Sequence, residues 1–350
     1  MKTLFVTNDL HDAINSRIEL KKWVKKKYNY DIDVCAPFSK NLNSSEDILY
    51  LNNRGFSLNN ILTINKLIKQ DIYETIVFRG IENILLSSFV SHSYKIKVIF
   101  LLTGLGRLFA EDIKFKTVIR YIYKFLLRKI IVLKKAKLIV QNKQDAYDLN
   151  IPLTSIIDGS GYSKKMNFVN NFDLSNPIVI TATRLIKSKG LDEILMLCKL
   201  IISKNLKVKY IIIGDYSHLS IDYQKLISEY KKSPNIDFIG FTKDINKYIS
   251  KSNFAYYPTK YREGVPRFLI ESLAHGLVIF TNSMPGCLKV VSNNNGYLDL
   301  LTREVIELII KMDSKSYKYK SISSRELFNN YYVDSVVYPK YYKIFRENEK

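Results

Sequence analysis

The stretch YREGVPRFLIESLAHG (261–276) carries two glutamates, Glu263 and Glu271, eight positions apart. Pro266 suits the first turn of a helix, and Gly276 suits the C-terminal stop of that helix. A helix start offers backbone N–H groups and a partial positive charge, which attract phosphates. Two carboxylates that flank a bound diphosphate could hold ribose hydroxyls on one side and hexose hydroxyls on the other. The spacing therefore predicts a nucleotide-sugar site.

Each glutamate also has a simpler explanation, because an acid near a helix start complements the helix dipole and an acid in mid-helix is commonly solvated. A second stretch, ATRLIKSKGLDEIL (182–195), favours the chemical interpretation. Arg184 and Lys189 flank a turn at the carboxyl end of a predicted strand. A mobile pair of cations there can neutralise a diphosphate and the charge that builds on a departing nucleotide. Loop cations are nevertheless ordinary in so basic a chain, and this alternative stays open.

The elements that must position these residues follow from short apolar runs that alternate with helical patterns. The runs are apolar on both faces, as buried strands of a parallel sheet are. The first series is TLFVTN (3–8), IDVCAP (32–37), TIVFRG (75–80), KVIFLLT (97–103) and KLIVQN (137–142). The second is IVITATR (178–184), YIIIGD (210–215), IDFIGF (236–241), FAYYP (254–258) and LVIFTN (277–282).

A polar segment at 163–177 separates the two series and is typical of an interdomain linker. Two successive βαβ series predict an α/β protein with two doubly wound, Rossmann-like domains that face each other across a cleft. We place these domains at 1–165 and 166–332, and we expect a helix within 333–350 to pack back on the first domain.

The composition narrows the classes of partner. The 350 residues include 54 Lys and Arg against 33 Asp and Glu, which gives a net charge of +21. Such an excess suits nucleic acid, an anionic membrane surface or a polyanionic substrate. Cys35, Cys198 and Cys287 show neither metal nor disulfide spacing, which favours a reduced, cytoplasmic protein. There is no signal-peptide pattern, and no uncharged run reaches the ~20 residues that span a bilayer.

Together the motifs resemble those of a known family. TRLIKSKG (183–190), IIIGD (211–215), FIGFTKDI (238–245), YREGVPRFLIESLAHG (261–276) and MPGCLKVV (284–291) look like the nucleotide-sugar-binding half of the family-four retaining glycosyltransferases. RGFS (54–57), LTGLGRLF (102–109) and LIVQN (138–142) extend the resemblance less specifically into the first half. The resemblance implies the GT-B fold and sugar transfer with retained anomeric configuration.

The resemblance also implies roles for individual residues. Glu263 would contact the hydroxyls of the donor sugar, and Glu271 would contact those of the ribose. Arg184 and Lys189 would stabilise the leaving diphosphate. The other implied donor-binding residues are Gly264, Val265, Pro266 and Arg267 at the distal phosphate, with Gly214, Phe241 and Thr242 in the neighbouring turns. The Phe241–Thr242 turn would border the nucleobase.

The resemblance implies no metal and no cofactor, since the two cations and the helix start do the work of a divalent ion. The four histidines form no ligand-like pair. His11 with Asp9 and Asp12 is either a weak metal cluster or an ordinary polar loop.

The acceptor side is expected in the first domain, on the loops TNDLHDAINSRI (7–18) and TGLGRL (103–108). The candidate residues are Asn8, Arg17, Thr103, Gly104 and Gly106. The glycines permit close approach to a substrate, or they form a plain turn. Many relatives carry a first-domain histidine near the donor sugar, whereas VFRGIEN (77–83) has Arg79.

The segment KFKTVIRYIYKFLLRKIIVLKKAK (114–137) combines two ridges at helical spacing. One ridge is basic, with Lys116, Arg120, Lys124 and Arg128. The other is apolar, with Val118, Ile119, Ile122, Phe125, Leu126, Ile130 and Leu133. Such a helix suits an anionic membrane surface, where each basic residue contributes on the order of 1 kcal/mol. Alternatively, its apolar side packs on its own sheet, and both descriptions can hold at once.

These observations predict a metal-independent, retaining hexosyltransferase. It would move a hexose or N-acetylhexosamine from a nucleotide sugar, UDP-linked, to a lipid-linked saccharide in polysaccharide or glycan biosynthesis. It would be cytoplasmic and peripheral on the inner face of the cell membrane. A sugar-nucleotide epimerase on the same fold is an alternative. A nucleic-acid-binding protein is a weaker one, because no nucleic-acid module or aromatic platform accompanies the charge.

Overall fold

The computed structural model describes residues 2–38, 47–52, 56–91, 95–106, 109, 116–152, 154–163 and 174–347. They form two compact units. The first takes the described residues between Met1 and Ser163 together with those from Tyr332 onward, and the second takes those between Lys164 and Tyr331. Several stretches singled out in the sequence lie outside the described residues: 54–55 of RGFS, 107–108 of the glycine turn, 114–115 of the basic segment and 164–173 of the expected linker.

The described part of the first unit contains one parallel sheet in the order β3-β2-β1-β4-β5-β6-β7. Its strands are β1 (Lys2–Val6), β2 (Asp31–Pro37), β3 (Ile48–Leu51), β4 (Tyr73–Arg79), β5 (Lys97–Leu102), β6 (Lys137–Val140) and β7 (Thr154–Ile156). Its helices are α1 (Leu10–Asp12), α2 (Ile18–Tyr28), α3 (Leu58–Ile68), α4 (Ile81–Ser87), α5 (Lys116–Lys134), α6 (Lys143–Leu149) and α13 (Asp334–Arg346). A five-residue π-helical turn, Ala13–Arg17, joins α1 to α2.

Helices cover both faces of this sheet, which is why its strands are apolar throughout. Ile64 of α3, Ile84 of α4 and Leu127 of α5 pack into the core on one face. Val24 of α2 and Tyr341 of α13 pack into the core on the other. The predicted strands are present, and the sheet has two further short strands at its edges, β3 and β7, that the sequence pattern does not predict.

The described part of the second unit contains a parallel sheet in the order β10-β9-β8-β11-β12-β13. Its strands are β8 (Ile178–Ala182), β9 (Lys209–Ile213), β10 (Ile236–Gly240), β11 (Phe254–Tyr257), β12 (Val278–Thr281) and β13 (Gly296–Leu298). Its helices are α7 (Leu191–Ser203), α8 (Ile221–Tyr230), α9 (Asn246–Ile249), α10 (Arg267–Ala274), α11 (Thr302–Lys311) and α12 (Ser314–Tyr331). Both sheets therefore have the doubly wound architecture that the alternating pattern predicts.

The last helix, α13, lies on the first unit. The backbone N–H of Tyr162 donates to the carbonyl of Tyr332, and the N–H of Asp334 donates to the carbonyl of Tyr162, each at 3.1 Å. Gly161 has φ +75°, and a Cβ there would overlap the ring of Tyr338. Glycine at this position therefore lets Tyr338 of α13 pack closely on the segment that follows β7.

Helix α5 leaves most of its apolar ridge exposed. Leu127 and Ile130 are buried against the sheet. Val118, Ile119, Ile122, Phe125, Leu126 and Leu133 are between 42% and 67% exposed. Among the described residues, Ile130 is thus the only one of the seven predicted ridge residues that is buried by packing on the unit's own sheet.

Candidate active site

The strand order of the second unit reverses between β8 and β11. These strands are parallel neighbours, so the loops that follow them leave the same carboxyl edge of the sheet. Open α/β sheets bind ligands outside such a switch point. The residues predicted to hold a nucleotide sugar lie on these two loops, with Arg184 and Lys189 after β8 and residues 263–267 after β11.

The loop after β8 buries one of the two predicted cations. A short 3-10 turn at Lys187–Lys189 leads into Gly190, which has φ +82°. A Cβ on Gly190 would overlap the carbonyl oxygen of Pro258, so glycine lets the two loops approach this closely. As a result Lys189 is only 5% exposed, while Arg184 is open to solvent. The two residues therefore differ from the mobile pair of loop cations that the sequence suggested.

The ε-amino group of Lys189 forms an ion pair with the carboxylate of Glu263 across the switch point. The hydroxyl of Tyr257 donates a hydrogen bond to the same carboxylate. Lys189 and Arg184 both lie over the ring of Tyr261, at 4.5 Å and 5.7 Å from its centre. The second unit therefore holds a cation and a carboxylate in direct contact here.

Burial shifts the pKa values in this cluster. Burial lowers the pKa of Lys189, and the attraction of Glu263 opposes that shift without reversing it. Burial, together with the negative charge of Glu263, raises the pKa of Tyr257. Tyr257 therefore keeps its proton and remains a hydrogen-bond donor to Glu263 at neutral pH.

Helix α10 begins at Arg267, with Pro266 in the N-cap position and no side-chain cap among the described residues. Gly264, Val265 and Pro266 are buried. A Cβ on Gly286 would overlap the carbonyl oxygen of Gly264, so the loop after β12 packs directly on the backbone before the helix. This helix start has the dipole and the backbone geometry that favour a phosphate.

Glu271 lies about one turn into α10 and is 7% exposed, so it is not the solvated acid of the simpler explanation. The Nε of Arg267 donates a hydrogen bond to its Oε1 at 2.8 Å. A carboxylate accepts several hydrogen bonds over its two oxygens, so this pairing leaves capacity for a ligand hydroxyl.

The remaining predicted donor residues lie at the same edge, after β9 and β10. A Cβ on Gly214 would overlap the carbonyl oxygen of Thr183, and its N–H donates to the carbonyl of Gly240 at 2.9 Å. Gly214 thus lets the loops after β8 and β9 pack together. Phe241 is 54% exposed. The hydroxyl of Thr242 accepts from the N–H of Asp244 at 3.2 Å.

The first unit has a matching reversal between β1 and β4. Arg17 is predicted to reach an acceptor, but it is 1% exposed and bonds Asp12 through Nε and Nη2 at 3.0 and 3.1 Å. Arg79 pairs with the same carboxylate at 3.0 Å. The carboxylate of Asp9 accepts from backbone N–H groups at the start of α1. These acids are therefore a helix cap and an ion-pair partner.

Asn8 lies at the same edge, where its amide donates to Glu82 at 3.0 Å. Thr103 follows β5, the strand next to β4. Gly104 and Gly106 have φ values of +116° and +65°, which glycine adopts without strain. Asn8 and the glycine turn thus occupy the carboxyl edge, whereas Arg17 lies beneath it.

Within the described residues, no group of three or more His, Cys, Asp or Glu side chains is placed to hold a metal ion. The Asp-x-Asp pair Asp31 and Asp33 lies at the start of β2, where Lys25 and Lys2 pair with the two acids at 3.0 and 3.4 Å. In the described part of the chain, no helix combines the length and apolar character needed to cross a membrane.

Sequence reasoning missed Tyr257 and Tyr261, and it missed the pairing of Asp12 with Arg17 and Arg79. Tyr257 is the last residue of β11, and Tyr261 follows shortly after it. An ionisable side chain at the carboxyl end of a predicted strand is the signal that could have marked Tyr257. The sequence places Asp12 in a weak metal cluster or a polar loop, and it does not indicate the ion pair because Arg79 is distant along the chain.

Comparisons with known proteins agree with this architecture. Residues 163–304 match the family model "Glycosyl transferases group 1". The capsular polysaccharide biosynthesis glycosyltransferase CapM of Staphylococcus aureus is 30% identical over 111 residues, which span 31% of this chain and 29% of CapM. Sucrose-phosphate synthase from Thermosynechococcus elongatus superposes with a TM-score of 0.79 at 13% identity, over 99% of this chain and 98% of that one. The chain has the GT-B fold.

A second solved GT-B structure is HepE from Anabaena, determined in complex with UDP and glucose. It superposes with a TM-score of 0.76 at 14% identity, over 98% of this chain and 99% of that one. The segment that matches the family model, 163–304, contains Arg184, Lys189, Glu263 and Glu271.

Proposed function

We propose that this protein is a metal-independent, retaining glycosyltransferase that uses a UDP-linked hexose or N-acetylhexosamine and a lipid-linked saccharide acceptor. The observation that carries the proposal is the Lys189–Glu263 ion pair at the switch point of the second unit, beside the start of α10. The family match at 163–304 supports the class of reaction, and the UDP and glucose bound by HepE support the choice of donor to test first.

The diphosphate is the part of the donor that the site is best suited to bind. The start of α10 would receive the distal phosphate on backbone N–H groups. Glu271, buried one turn further along, would bind the ribose hydroxyls. Arg184 is exposed and would approach the diphosphate from the other loop.

Glu263 and Lys189 act at the bond that breaks. The carboxylate of Glu263 would orient the donor sugar through its hydroxyls, and the cation of Lys189 would stabilise the negative charge on the departing UDP. The bond from the anomeric carbon to the diphosphate breaks, and the bond to the acceptor oxygen forms on the same face. The acceptor proton passes to a phosphate oxygen of the donor. This route requires no side chain as a general base.

Helix α5 supports a peripheral position on an anionic membrane surface. Lys116–Lys134 contains six basic residues and no acid. Beside them stand seven Val, Ile, Leu or Phe side chains that are at least 42% exposed. A basic helix with an uncovered apolar face binds at the headgroup boundary of a bilayer. We therefore propose that the protein works on the inner face of the cell membrane, where a lipid-linked acceptor would be within reach.

The catalytic proposal is tested with a panel of UDP-sugars, with and without lipid-linked saccharides, by following release of UDP and the product sugar. The wild type should release UDP only when an acceptor is present, and Glu263→Gln should lose at least about 100-fold in kcat. Glu326→Gln, an exposed acid of α12, is the matched control and should be unaffected. Full activity in Glu263→Gln would contradict the assigned role, and an isomerised UDP-sugar formed without acceptor would indicate an epimerase.

The membrane proposal is tested by sedimentation with vesicles. The protein should bind vesicles that contain phosphatidylglycerol, and it should be released by salt. Ile122→Asn, at a site 50% exposed on α5, should weaken binding about 5- to 20-fold through loss of apolar contact. Ile310→Asn, at a site 51% exposed on α11, is the control. Equal weakening by both variants would contradict a role for α5.

A further inference from the structure

The switch point of the first unit holds a polar cluster that the reaction described above does not use. Its members are Thr7, Asn8, Asp12, Arg17 and Arg79, which lie after β1 or at the end of β4. Because β1 and β4 are parallel neighbours, the cluster lies at the carboxyl edge of the sheet, where α/β sheets bind ligands.

Arg17 forms the base of the cluster. Its guanidinium grips both oxygens of Asp12, and it lies 4.9 Å from the centre of the Phe5 ring. Such a two-pronged contact fixes the orientation of a carboxylate. Arg17 is buried, so it acts through Asp12 and is a positioning residue.

Asp12 in turn fixes Arg79. The Nε of Arg79 lies 3.0 Å from Oδ2 of Asp12, and its Nη1 donates to Thr7 Oγ1 and Asn8 Oδ1 at 3.3 Å each. Its Nη2 makes no hydrogen bond to a described residue. Two guanidiniums thus share one carboxylate, which leaves one positive charge in this group of three side chains.

Two further acids lie close by, and each is already engaged. The carboxylate of Asp9 accepts from the backbone N–H groups of His11 and Asp12. Glu82 is exposed and accepts from the amide of Asn8. Both acids keep their negative charge, but neither is paired with Arg79, so the Nη2 group is the N–H donor that this edge offers to an anion.

Helix α5 indicates where such an anion would come from. It connects the carboxyl end of β5 to the amino end of β6, and β5 lies next to β4. Its first turns therefore start at the edge where Arg79 lies, and their apolar side chains are exposed. An acceptor held at a membrane surface would bring its phosphate groups to this edge.

We propose that Arg79 binds a phosphate oxygen of the acceptor through Nη2, and that Asp12 and Arg17 position it. The inference rests on the proposed function, since it names the chemistry of the acceptor. It assigns a diphosphate-linked lipid, rather than a neutral glycolipid, as the substrate class of the first unit.

The test measures binding of decyl diphosphate and of neutral decyl glucoside by calorimetry in the presence of saturating UDP. The wild type should bind the diphosphate about 10- to 100-fold more tightly, the size expected for a charge-assisted hydrogen bond. In Arg79→Met the two probes should bind equally, and in Arg79→Lys part of the preference for decyl diphosphate should remain. In Asp12→Asn this preference should be about 3- to 10-fold smaller than in the wild type. Lys26→Met, an exposed cation at the end of α2, should leave it unchanged.

Three outcomes would overturn the inference. The first is equal binding of the two probes by the wild type, and the second is an unchanged ratio in a folded Arg79→Met variant. The third is inorganic pyrophosphate binding as tightly as decyl diphosphate, which would indicate a site for a free anion. A UDP titration of the same samples separates the two proposals, because loss of UDP binding would contradict the donor site and loss of the probe ratio would contradict only the role of Arg79.

Discussion

Replacing Glu263 with glutamine should destabilise the second unit as well as stop the reaction. The change removes the only charge partner assigned to Lys189 among the described residues. The side chain of Lys189 is 6% exposed and that of Glu263 is 23% exposed, so the ion pair is largely shielded from water. Breaking such a pair from one side costs about 3–5 kcal/mol. We expect the lower end, about 3 kcal/mol, because glutamine still accepts a hydrogen bond.

A loss of that size should lower the Tm of the second unit by about 6–12 °C. Adding Lys189→Met should recover about 2 kcal/mol, because a neutral pair replaces an uncompensated cation. The double variant should remain inactive, since both of the proposed catalytic groups are absent. The four proteins to compare are the wild type, the two single variants and the double variant. Thermal unfolding should show that the double variant regains stability, and UDP release should show that it does not regain activity.

The pH dependence of stability in the same four proteins gives a second test. In Glu263→Gln the pKa of Lys189 in the folded protein should fall further below the usual 10.5 that applies to the unfolded chain. Between the folded and the unfolded pKa, the unfolded chain therefore binds more protons than the folded protein. Stability then rises with pH in that window, and the deficit of Glu263→Gln should shrink as pH approaches 10.5. A deficit equal in the single and double variants, and independent of pH, would refute the coupling between Lys189 and Glu263.

Three further predictions follow from the same site. Glu271→Gln should raise the KM for the UDP-sugar about 10- to 100-fold with kcat changed less than about 3-fold, because the proposed ribose contact would be present in both the ground state and the transition state. An unchanged KM would contradict that contact. Gly286→Ala should weaken UDP binding by at least about 10-fold, because its Cβ would overlap the carbonyl of Gly264 and displace the start of α10; calorimetry showing wild-type affinity would argue against that helix start as the phosphate site. Burial lowers the pKa of Lys189, so its positive charge should be lost at a pH below the usual lysine pKa of 10.5, and kcat/KM should decrease as that charge is lost. Lys189→Arg, if it retains activity, should move this alkaline decrease to higher pH. A decrease that stays at the same pH would indicate that another group titrates.

Much of the fold follows from local pattern. Strands covered on both faces must be apolar throughout, so most of them stand out as short Val/Ile-rich runs. The start and end of α10 follow from Pro266 and Gly276, which has φ +74° at the helix stop. The edge strands β3, β7 and β13 are three or four residues long and carry no comparable signal.

The partners of the site residues could not be predicted in the same way, because they depend on contacts between distant segments. Lys189 is buried because Gly190 fits against Pro258, and that approach is a property of two loops. Arg17 looks like an accessible loop cation in the sequence, but the π-helical turn and its bond to Asp12 hold it beneath the surface. The sequence thus indicates which residues gather at each edge, and the structure determines which of them remain accessible.

The central claim is that the second unit binds the diphosphate of a sugar nucleotide at the start of α10. A crystal structure of the protein with UDP tests it most directly. We expect the distal phosphate to lie against the backbone of residues 264–267, the ribose hydroxyls to contact Glu271, and Arg184 or Lys189 to contact the diphosphate. UDP bound away from α10, with this helix start empty at saturating nucleotide, would contradict it.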